Sequence, residues 1–163
     1  MEYKVCILAA GTGSRMWPLT ESINKSLLPV GDSPVLSRII EKFDPTIEIV
    51  IAVGYLADSI KDYLACAHSN RKIVVVEVDR FLGEGSGPGY SLMKCMPYLQ
   101  CPFIFFASDT LVLEGIPEPS FNWMGISPVL STIEYCSVKI TDDLIEKLED
   151  KVETDNKNAF IGL

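Results

Sequence analysis

The sequence predicts an α/β fold in which a mostly parallel central sheet is covered by helices on both faces. Three observations support this prediction. Short apolar, β-rich runs recur along the first 110 residues, and stretches with helical periodicity lie between them. Gly-rich or polar loops connect each apolar run to the helical stretch next to it. Strands that alternate with helices imply parallel pairing, because each helix carries the chain back to the same edge of the sheet. We therefore expect a three-layer sandwich whose ligand binds at the carboxyl ends of its strands.

A long loop separates the first strand from the first helix. Residues 3–9 are apolar and β-rich, as in a buried strand. Residues 11–33 have no periodicity and are predicted to form a loop, and a loop of this length within a domain is usually functional. Ser33 is predicted to cap a helix that has Pro34 at its first position. The apolar face of this helix comprises Val35, Leu36, Ile39, Ile40 and Phe43.

The next elements continue the alternation. Strands are predicted at residues 47–53, 73–78 and 102–107, and helices at residues 56–64 and 90–96. A Gly-rich loop, residues 79–89, follows the third strand, and Asp109 lies just beyond the fourth. The loops after the first and third strands should therefore meet Asp109 at one edge of the sheet.

The last third of the sequence has a different character. Beyond residue 120 the pattern becomes more β-like, and residues 144–152 fit either a strand or a helix. The sequence closes on an apolar stretch, residues 160–163, that is typical of the start of another strand. A domain seldom ends in this way, so a domain truncated at its C-terminus is one expectation from the sequence.

Composition limits the function. The 163 residues carry 14 Lys and Arg against 22 Asp and Glu, a formal net charge of −8, which argues against nucleic acid as the main partner. Five Cys without a Cys-x-x-Cys pair and one His argue against a disulfide framework, a zinc site and a Ser-His-Asp hydrolase. No signal peptide or membrane span is recognisable. We therefore expect a cytoplasmic protein with no membrane partner.

The loop after the first strand is the first candidate for chemistry. Small residues there let the backbone approach a ligand closely, and successive N–H groups can cradle phosphate oxygens. Arg15 adds a planar cation suited to phosphate. Met16 stands where the dinucleotide fingerprint has its third Gly, and no P-loop string exists. The predicted nucleotide-binding residues of this loop are Leu8, Ala9, Ala10, Gly11, Thr12, Gly13, Ser14 and Arg15.

A second candidate is Lys25, ten residues further along the same loop. It precedes the apolar stretch Leu27-Leu28-Pro29-Val30 and could place a point charge on a phosphate that Arg15 does not reach.

Residues 8–30 resemble the signature of the nucleotidyltransferases that act on sugar phosphates and related alcohol phosphates. That signature reads L-A-A-G-x-G-(S/T)-R-(L/M)-x-P-L-T, followed by P-K-x-L-(L/V/I)-P-(V/I), and the chain departs from it where Asn24 replaces the customary Pro. The stretch Pro18-Leu19-Thr20 favours this branch over the similar isoprenoid and molybdenum-cofactor nucleotidyltransferases. The resemblance implies a Rossmann-like nucleotidyltransferase fold, with residues 1–163 as a single domain, 1–110 its nucleotide-binding half and 111–163 the start of its acceptor-binding half.

The resemblance also implies roles further along the chain. Residues 82–88 look like the family's base-binding loop with extra residues, which makes Gly83, Ser86 and Gly87 nucleotide-binding candidates. Asp109 matches the family's metal-binding Asp and would hold Mg²⁺. Lys151 lies near the family's substrate-binding Lys, while Cys136 replaces a Gly of its sugar pocket. The family's second metal-binding Asp is not visible in the sequence.

The implied reaction joins an NTP and a phosphorylated acceptor to give an NDP-sugar or CDP-alcohol and pyrophosphate. Arg15, Lys25 and Asp109 would be its catalytic residues, Lys25 and Lys151 would bind the acceptor, and Mg²⁺ would be the cofactor. The resemblance places such a product in nucleotide-sugar and cell-surface polysaccharide biosynthesis. A non-catalytic nucleotide-binding module of the same fold is the alternative. The base, the acceptor and the oligomeric state, a homo-oligomer included, stay open.

Overall fold

The computed structural model describes residues 2–163, and Met1 lies outside the described residues. The chain forms two compact units, one up to Ser120 and one spanning Phe121–Leu163. The prediction of one domain with two halves stays a prediction. Among residues 2–163, no helix combines the length and the apolar character needed to cross a membrane.

The first unit is built on a four-stranded parallel sheet in the order β5-β4-β1-β6. Its strands are β1 (Lys4–Ala9), β4 (Ile49–Val53), β5 (Ile73–Glu77) and β6 (Phe103–Ala107). The register places Ile7 between Ile51 and Phe106, and β4 is buried along its whole length. Burial on both faces explains why β4 is an unbroken apolar run rather than an alternating one. The predicted parallel sheet is confirmed.

Helices cover both faces of this sheet. The helices are α1 (Val35–Ile40), α2 (Ala57–Ala67) and α3 (Pro88–Cys95). Cys95 of α3 packs with Cys6 and Val50 on one face, because these strand residues point the same way. On the other face, Phe43, just after α1, meets Phe106 edge to face, with ring centroids 6.1 Å apart. The three-layer prediction therefore holds.

The long loop between β1 and α1 contains more structure than the sequence predicts. It holds 3₁₀ turns at Ser14–Met16 and Lys25–Leu27 and a small hairpin of β2 (Pro29–Val30) and β3 (Ser33–Pro34). The prediction for the helix start was wrong by one position: Ser33 is part of β3, and Pro34 occupies the N-cap of α1 in an extended conformation. Pairing with β2 fixes Ser33 in the hairpin, which local capping preferences do not anticipate.

The second unit is an antiparallel sheet in the order β7-β10-β8-β9. Its strands are β7 (Ile126–Pro128), β8 (Cys136–Thr141), β9 (Leu144–Asp150) and β10 (Asn158–Phe160). Asp142 and Asp143 both have positive φ, 50° and 61°, as a two-residue hairpin turn requires. The sequence allowed either a strand or a helix at residues 144–152. The structure has the strand β9 there, directly after this turn.

Candidate active site

A pocket of about 460 Å³ lies in the first unit at the carboxyl ends of β1 and β6. This is the edge at which parallel sheets bind ligands. Small residues and loop residues form most of its wall, so backbone groups can approach a ligand. The lining residues are Leu8, Ala10, Gly11, Thr12, Arg15, Lys25, Phe81, Leu82, Ser86, Gly87, Pro88, Ser91, Phe105, Ala107 and Ser108.

Most of the predicted nucleotide-binding residues line this pocket, and four do not. Leu8, Ala10, Gly11, Thr12, Arg15, Ser86 and Gly87 lie on the wall, whereas Ala9, Gly13, Ser14 and Gly83 are outside the lining set. Ala9 is fully buried in the sheet, and Gly83 accepts a hydrogen bond from the Ser86 hydroxyl at 2.6 Å. For these four residues, nucleotide binding stays a prediction.

Gly13 is required by the geometry of the loop. Its φ of 65° lies in the left-handed region, which side chains with a Cβ rarely adopt. A Cβ there would lie 3.0 Å from Cγ2 of Thr20 and 3.1 Å from Cβ of Lys25. The buried Thr20 hydroxyl donates a hydrogen bond to the Gly13 carbonyl at 3.0 Å. Thr20 therefore holds the backbone of Gly13 and also occupies the space that a Cβ at this position would need.

Lys25, which lines the pocket, pairs with Asp109, which directly follows the lining residue Ser108 and is itself outside the lining set. The Lys25 ammonium donates to Oδ2 of Asp109 at 2.7 Å, and the two side chains are 20% and 45% exposed. The long loop and the turn after β6 therefore bring together two predicted site residues that are distant in sequence. A cation and a carboxylate at one edge can serve a phosphate and a metal ion, respectively.

Asn24 fixes the position of the turn that carries Lys25. Its side chain is fully buried, and Nδ2 donates to the carbonyl oxygens of Ala9 at 3.2 Å and Tyr55 at 2.8 Å. Oδ1 accepts from the backbone N–H of Ser26 at 3.0 Å and from the Ser26 hydroxyl at 2.8 Å. All four hydrogen-bonding positions of the amide are thus filled. The sequence marked Asn24 only as a departure from a pattern.

Tyr55 is a supporting residue that the sequence does not reveal. Its backbone N–H donates to the carbonyl of Ala10 at 3.0 Å, and its hydroxyl donates to the carbonyls of Thr20 and Glu21 at 3.0 and 2.9 Å. It therefore ties the end of β1 to the far part of the long loop. A lone Tyr after a buried strand carries no local signal of this role.

Ser108 places an unsatisfied hydroxyl at the pocket. The residue is 1% exposed, and its Oγ has no hydrogen-bond partner within residues 2–163. A buried hydroxyl without a partner is costly, so a group that enters the pocket could gain a hydrogen bond there. Its neighbour Asp109 was predicted from the sequence, whereas Ser108 was not.

Lys151 and Asp79 are outside the lining set of this pocket. Lys151 belongs to the second unit, where it follows β9 and its N–H donates to the carbonyl of Tyr135 at 2.8 Å. Its substrate-binding role stays a prediction. Asp79, at the end of β5, pairs with Lys94 at 2.8 Å, and hydrogen bonds from Lys94 and Tyr90 lower the Asp79 pKa to about 2.

Comparison with known proteins identifies relatives along most of the chain. The family model of the MobA-like NTP transferase domain matches residues 5–114. The bifunctional protein GlmU of Methanococcus vannielii is 29% identical over 159 residues, which are 94% of this chain and 37% of that protein. The chain therefore spans about a third of the length of this curated relative.

Two solved structures share the fold. The CTP:phosphocholine cytidylyltransferase from Streptococcus pneumoniae superposes with a TM-score of 0.74 at 24% identity, over 99% of this chain and 69% of that one. A UDP-glucose pyrophosphorylase complexed with UDP-glucose superposes with a TM-score of 0.79 at 19% identity, over 99% and 74%. At these identities the likeness is one of fold, and it confirms the predicted nucleotidyltransferase fold.

Proposed function

Since the chain belongs to the MobA-like NTP transferase domain family, we propose that it transfers a nucleotidyl group from an NTP to a sugar 1-phosphate or a related alcohol phosphate. The products are a nucleotide-activated sugar or alcohol and pyrophosphate. The observation that carries the proposal is the meeting of Lys25 and Asp109, 2.7 Å apart, at a pocket of about 460 Å³ walled by the small-residue loop. The acceptor type follows from the match of residues 8–30 to the signature of the sugar-phosphate branch.

The chemistry needs positioning and neutralisation of charge rather than a general base. An acceptor phosphate is already anionic at neutral pH, so it attacks the α-phosphorus in line without losing a proton, and pyrophosphate leaves. The single His of the chain, His68, is buried against Ser37 at 2.6 Å and plays no part in this pocket.

Each site residue has a role that fits its chemistry. The N–H groups around residues 11–15 and the guanidinium of Arg15 receive the β- and γ-phosphates of the NTP. Lys25 leaves Asp109 and contacts the α-phosphate and the attacking phosphate, where it neutralises charge that builds in the transition state. Ser86 and Gly87 border the space for the base.

The residues fit a magnesium ion that arrives with the nucleotide. Within residues 2–163, no three His, Cys, Asp or Glu side chains group together in a way that could hold a metal ion. Mg²⁺ often takes only one or two carboxylates and completes its shell with water and substrate phosphates, so Asp109 suffices as the ligand from this unit. When bound, the ion would neutralise charge on the α-phosphate.

Pyrophosphate release tests the proposal. The purified chain is mixed with Mg²⁺ and each NTP in turn, with a panel of sugar 1-phosphates and phosphocholine. We expect release that requires one NTP and one acceptor together, which names both substrates. Lys25→Ala should lower its rate by about 10²–10³, whereas Lys61→Ala, which removes a 2.6 Å ion pair with Glu77 outside the pocket, should leave the rate unchanged.

A thermal-shift scan with the same NTPs separates the alternatives. An NTP that raises the melting temperature without supporting turnover indicates a nucleotide-binding module of the same fold and contradicts the transferase proposal for this chain. The absence of both turnover and any shift contradicts the nucleotide site itself.

A further inference from the structure

We propose that Asn24 is a positioning residue that holds Lys25 in place relative to Asp109 and to residues 11–15, the part of the long loop proposed to bind phosphate and called the phosphate loop below. The proposal rests on the function proposed above and deepens it. Asn24 directly precedes Lys25 and forms the N-cap of the 3₁₀ turn Lys25–Leu27. The turn is closed by hydrogen bonds from the N–H groups of Leu27 and Leu28 to the carbonyls of Asn24 and Lys25.

The Asn24 amide joins three parts of the unit at one point. Its two donated hydrogen bonds reach Ala9, the last residue of β1, and Tyr55, in the connection after β4, while its oxygen holds Ser26 within the turn. A flipped amide would place its oxygen against two carbonyl oxygens and its NH₂ against a backbone N–H. Only one orientation of the amide therefore satisfies all its hydrogen-bonding groups. That orientation fixes the position of the Lys25 turn.

The backbone at Asn24 is extended in the way that a proline would impose. Its φ is −62° and its ψ is 140°, so Pro fits this position without strain. A Pro ring can restrict φ but cannot donate to Ala9 or Tyr55 or accept from Ser26. Asn24 therefore contributes what Pro cannot: side-chain hydrogen bonds that connect the Lys25 turn to β1, the strand that leads into the phosphate loop.

The Asn24 hydrogen bonds matter because they tie the Lys25 turn to β1 and to Tyr55. The Lys25 ammonium is held by Asp109, whose side chain is 45% exposed, and the Lys25 Cβ lies beside Gly13 in the neighbouring turn. If the Asn24 bonds are lost, the turn can move relative to β1 while the rest of the sheet stays in place. Misplacing a charged group by about 1 Å is enough to cost about a hundredfold in rate.

The first test measures Lys25 directly and needs no substrate. Trace acetylation of the folded protein, read by mass spectrometry, gives the rate constant of each lysine, with Lys61 as internal reference. In Asn24→Asp, which keeps the shape but removes the donors, we expect Lys25 to react about threefold faster or more, because the turn opens locally. Asn24→Pro, which keeps φ and removes all four bonds, should raise the rate in the same direction.

A matched control separates positioning from general destabilisation. Ser37 is 2% exposed and hydrogen-bonded to Tyr63 and His68, away from the pocket, so Ser37→Ala removes comparable buried bonds. We expect Lys25 labelling to stay as in the unchanged protein. An unchanged Lys25 rate in both Asn24 variants overturns the proposal, as does an equal rise in Ser37→Ala. An Asn24→Pro variant that labels like the unchanged protein also overturns it, since φ alone would then suffice.

The second test uses single-turnover pyrophosphate release with the substrates found above. Asn24→Asp should lower the rate about tenfold or more, and Ser37→Ala by less than about twofold. In a Lys25→Ala background, Asn24→Asp should lower the residual rate by less than about twofold, because its effect runs through Lys25. If Asn24→Asp lowers the rate by the same factor with and without Lys25, the two residues act independently, and the proposal is contradicted. If the unchanged protein releases no pyrophosphate, the proposed function fails, while the labelling contrast still decides the role of Asn24.

Discussion

In the proposed function, Lys25 and Asp109 contribute to the reaction more than to the stability of the fold. Their ion pair is partly exposed, and exposed pairs contribute little to the free energy of folding because water screens them. The electrostatic interactions of these two side chains become stronger when a nucleotide excludes water from the pocket. The effects of removing them should therefore appear in turnover and not in stability.

We expect Lys25→Ala and Asp109→Asn each to lower kcat by about 10²–10³, as the loss of one charge-stabilising group typically does. The melting temperature should change by less than about 4 °C. Kinetics of pyrophosphate release and calorimetry of the same samples check both expectations. A variant that keeps more than about a tenth of the rate contradicts the role given to its residue.

For Gly13 we expect the opposite: its substitution should lower the stability of the fold more than it changes the reaction. Gly13→Ala puts a Cβ into left-handed backbone against Thr20 and Lys25, and we expect a loss of about 1–2 kcal/mol in the free energy of unfolding. Gly89→Ala is the matched control, because no atom lies within 4 Å of its added Cβ and it lies in α3. Urea denaturation compares the two. Equal losses would show that the backbone of Gly13 does not require glycine.

At the scale of elements, the sequence predicted the parts whose signal is local. Continuous apolar runs located β1, β4, β5 and β6 to within two residues, and the apolar face of α1 is buried as predicted. The hairpin of β2 and β3 was missed because two-residue strands have no periodicity. Asn24 and Tyr55 were missed as supports for a different reason: their partners Ala9 and Thr20 are distant in sequence and come close only after folding.

The contact between α1 and α2 gives an element-scale prediction. His68, just after α2, is buried and bonds through Nε2 to Ser37 of α1 at 2.6 Å, and its ring packs edge-on to Tyr63. Burial is the main cause that lowers the His68 pKa below 6.5; Arg71 lowers it too, and Glu41 opposes the shift.

Because the folded state disfavours the charged imidazole, unfolding binds a proton as the pH falls below about 6.5. Stability should therefore decrease between pH 7.5 and pH 5.5. Thermal melts across this range should show the decrease, and His68→Gln should flatten the curve. A curve of unchanged slope in His68→Gln would assign the pH dependence to other groups.

At the scale of the whole molecule, every residue that lines the pocket lies in the first unit. The lining spans Leu8 to Ser108, whereas the second unit begins at Phe121. Lys151 is the one predicted site residue that belongs to the second unit. We therefore expect nucleotide binding to survive removal of the second unit.

We expect a fragment of residues 1–120 to fold and to bind the cognate NTP within about threefold of the affinity of the full chain, because every residue that lines the pocket belongs to this unit. Isothermal titration of both proteins measures this. Lys151→Ala in the full chain is the companion variant, and it should change the KM for the acceptor and not for the NTP. A fragment that folds but binds no NTP would mean that the second unit supplies part of the nucleotide site.

The central place of β1 in the parallel sheet has a consequence for biosynthesis. The ribosome makes β1 first, yet its two partners, β4 and β6, follow much later, and the pairing of Ile7 with Phe106 waits for the last strand of this sheet. At about 5–20 residues per second, β6 emerges roughly 5–20 s after β1. Throughout that interval an apolar strand edge is exposed on the nascent chain and open to chaperones or to aggregation. The strand that leads into the predicted nucleotide-binding loop is the first strand of this sheet to be made, and its pairing is the last to be completed.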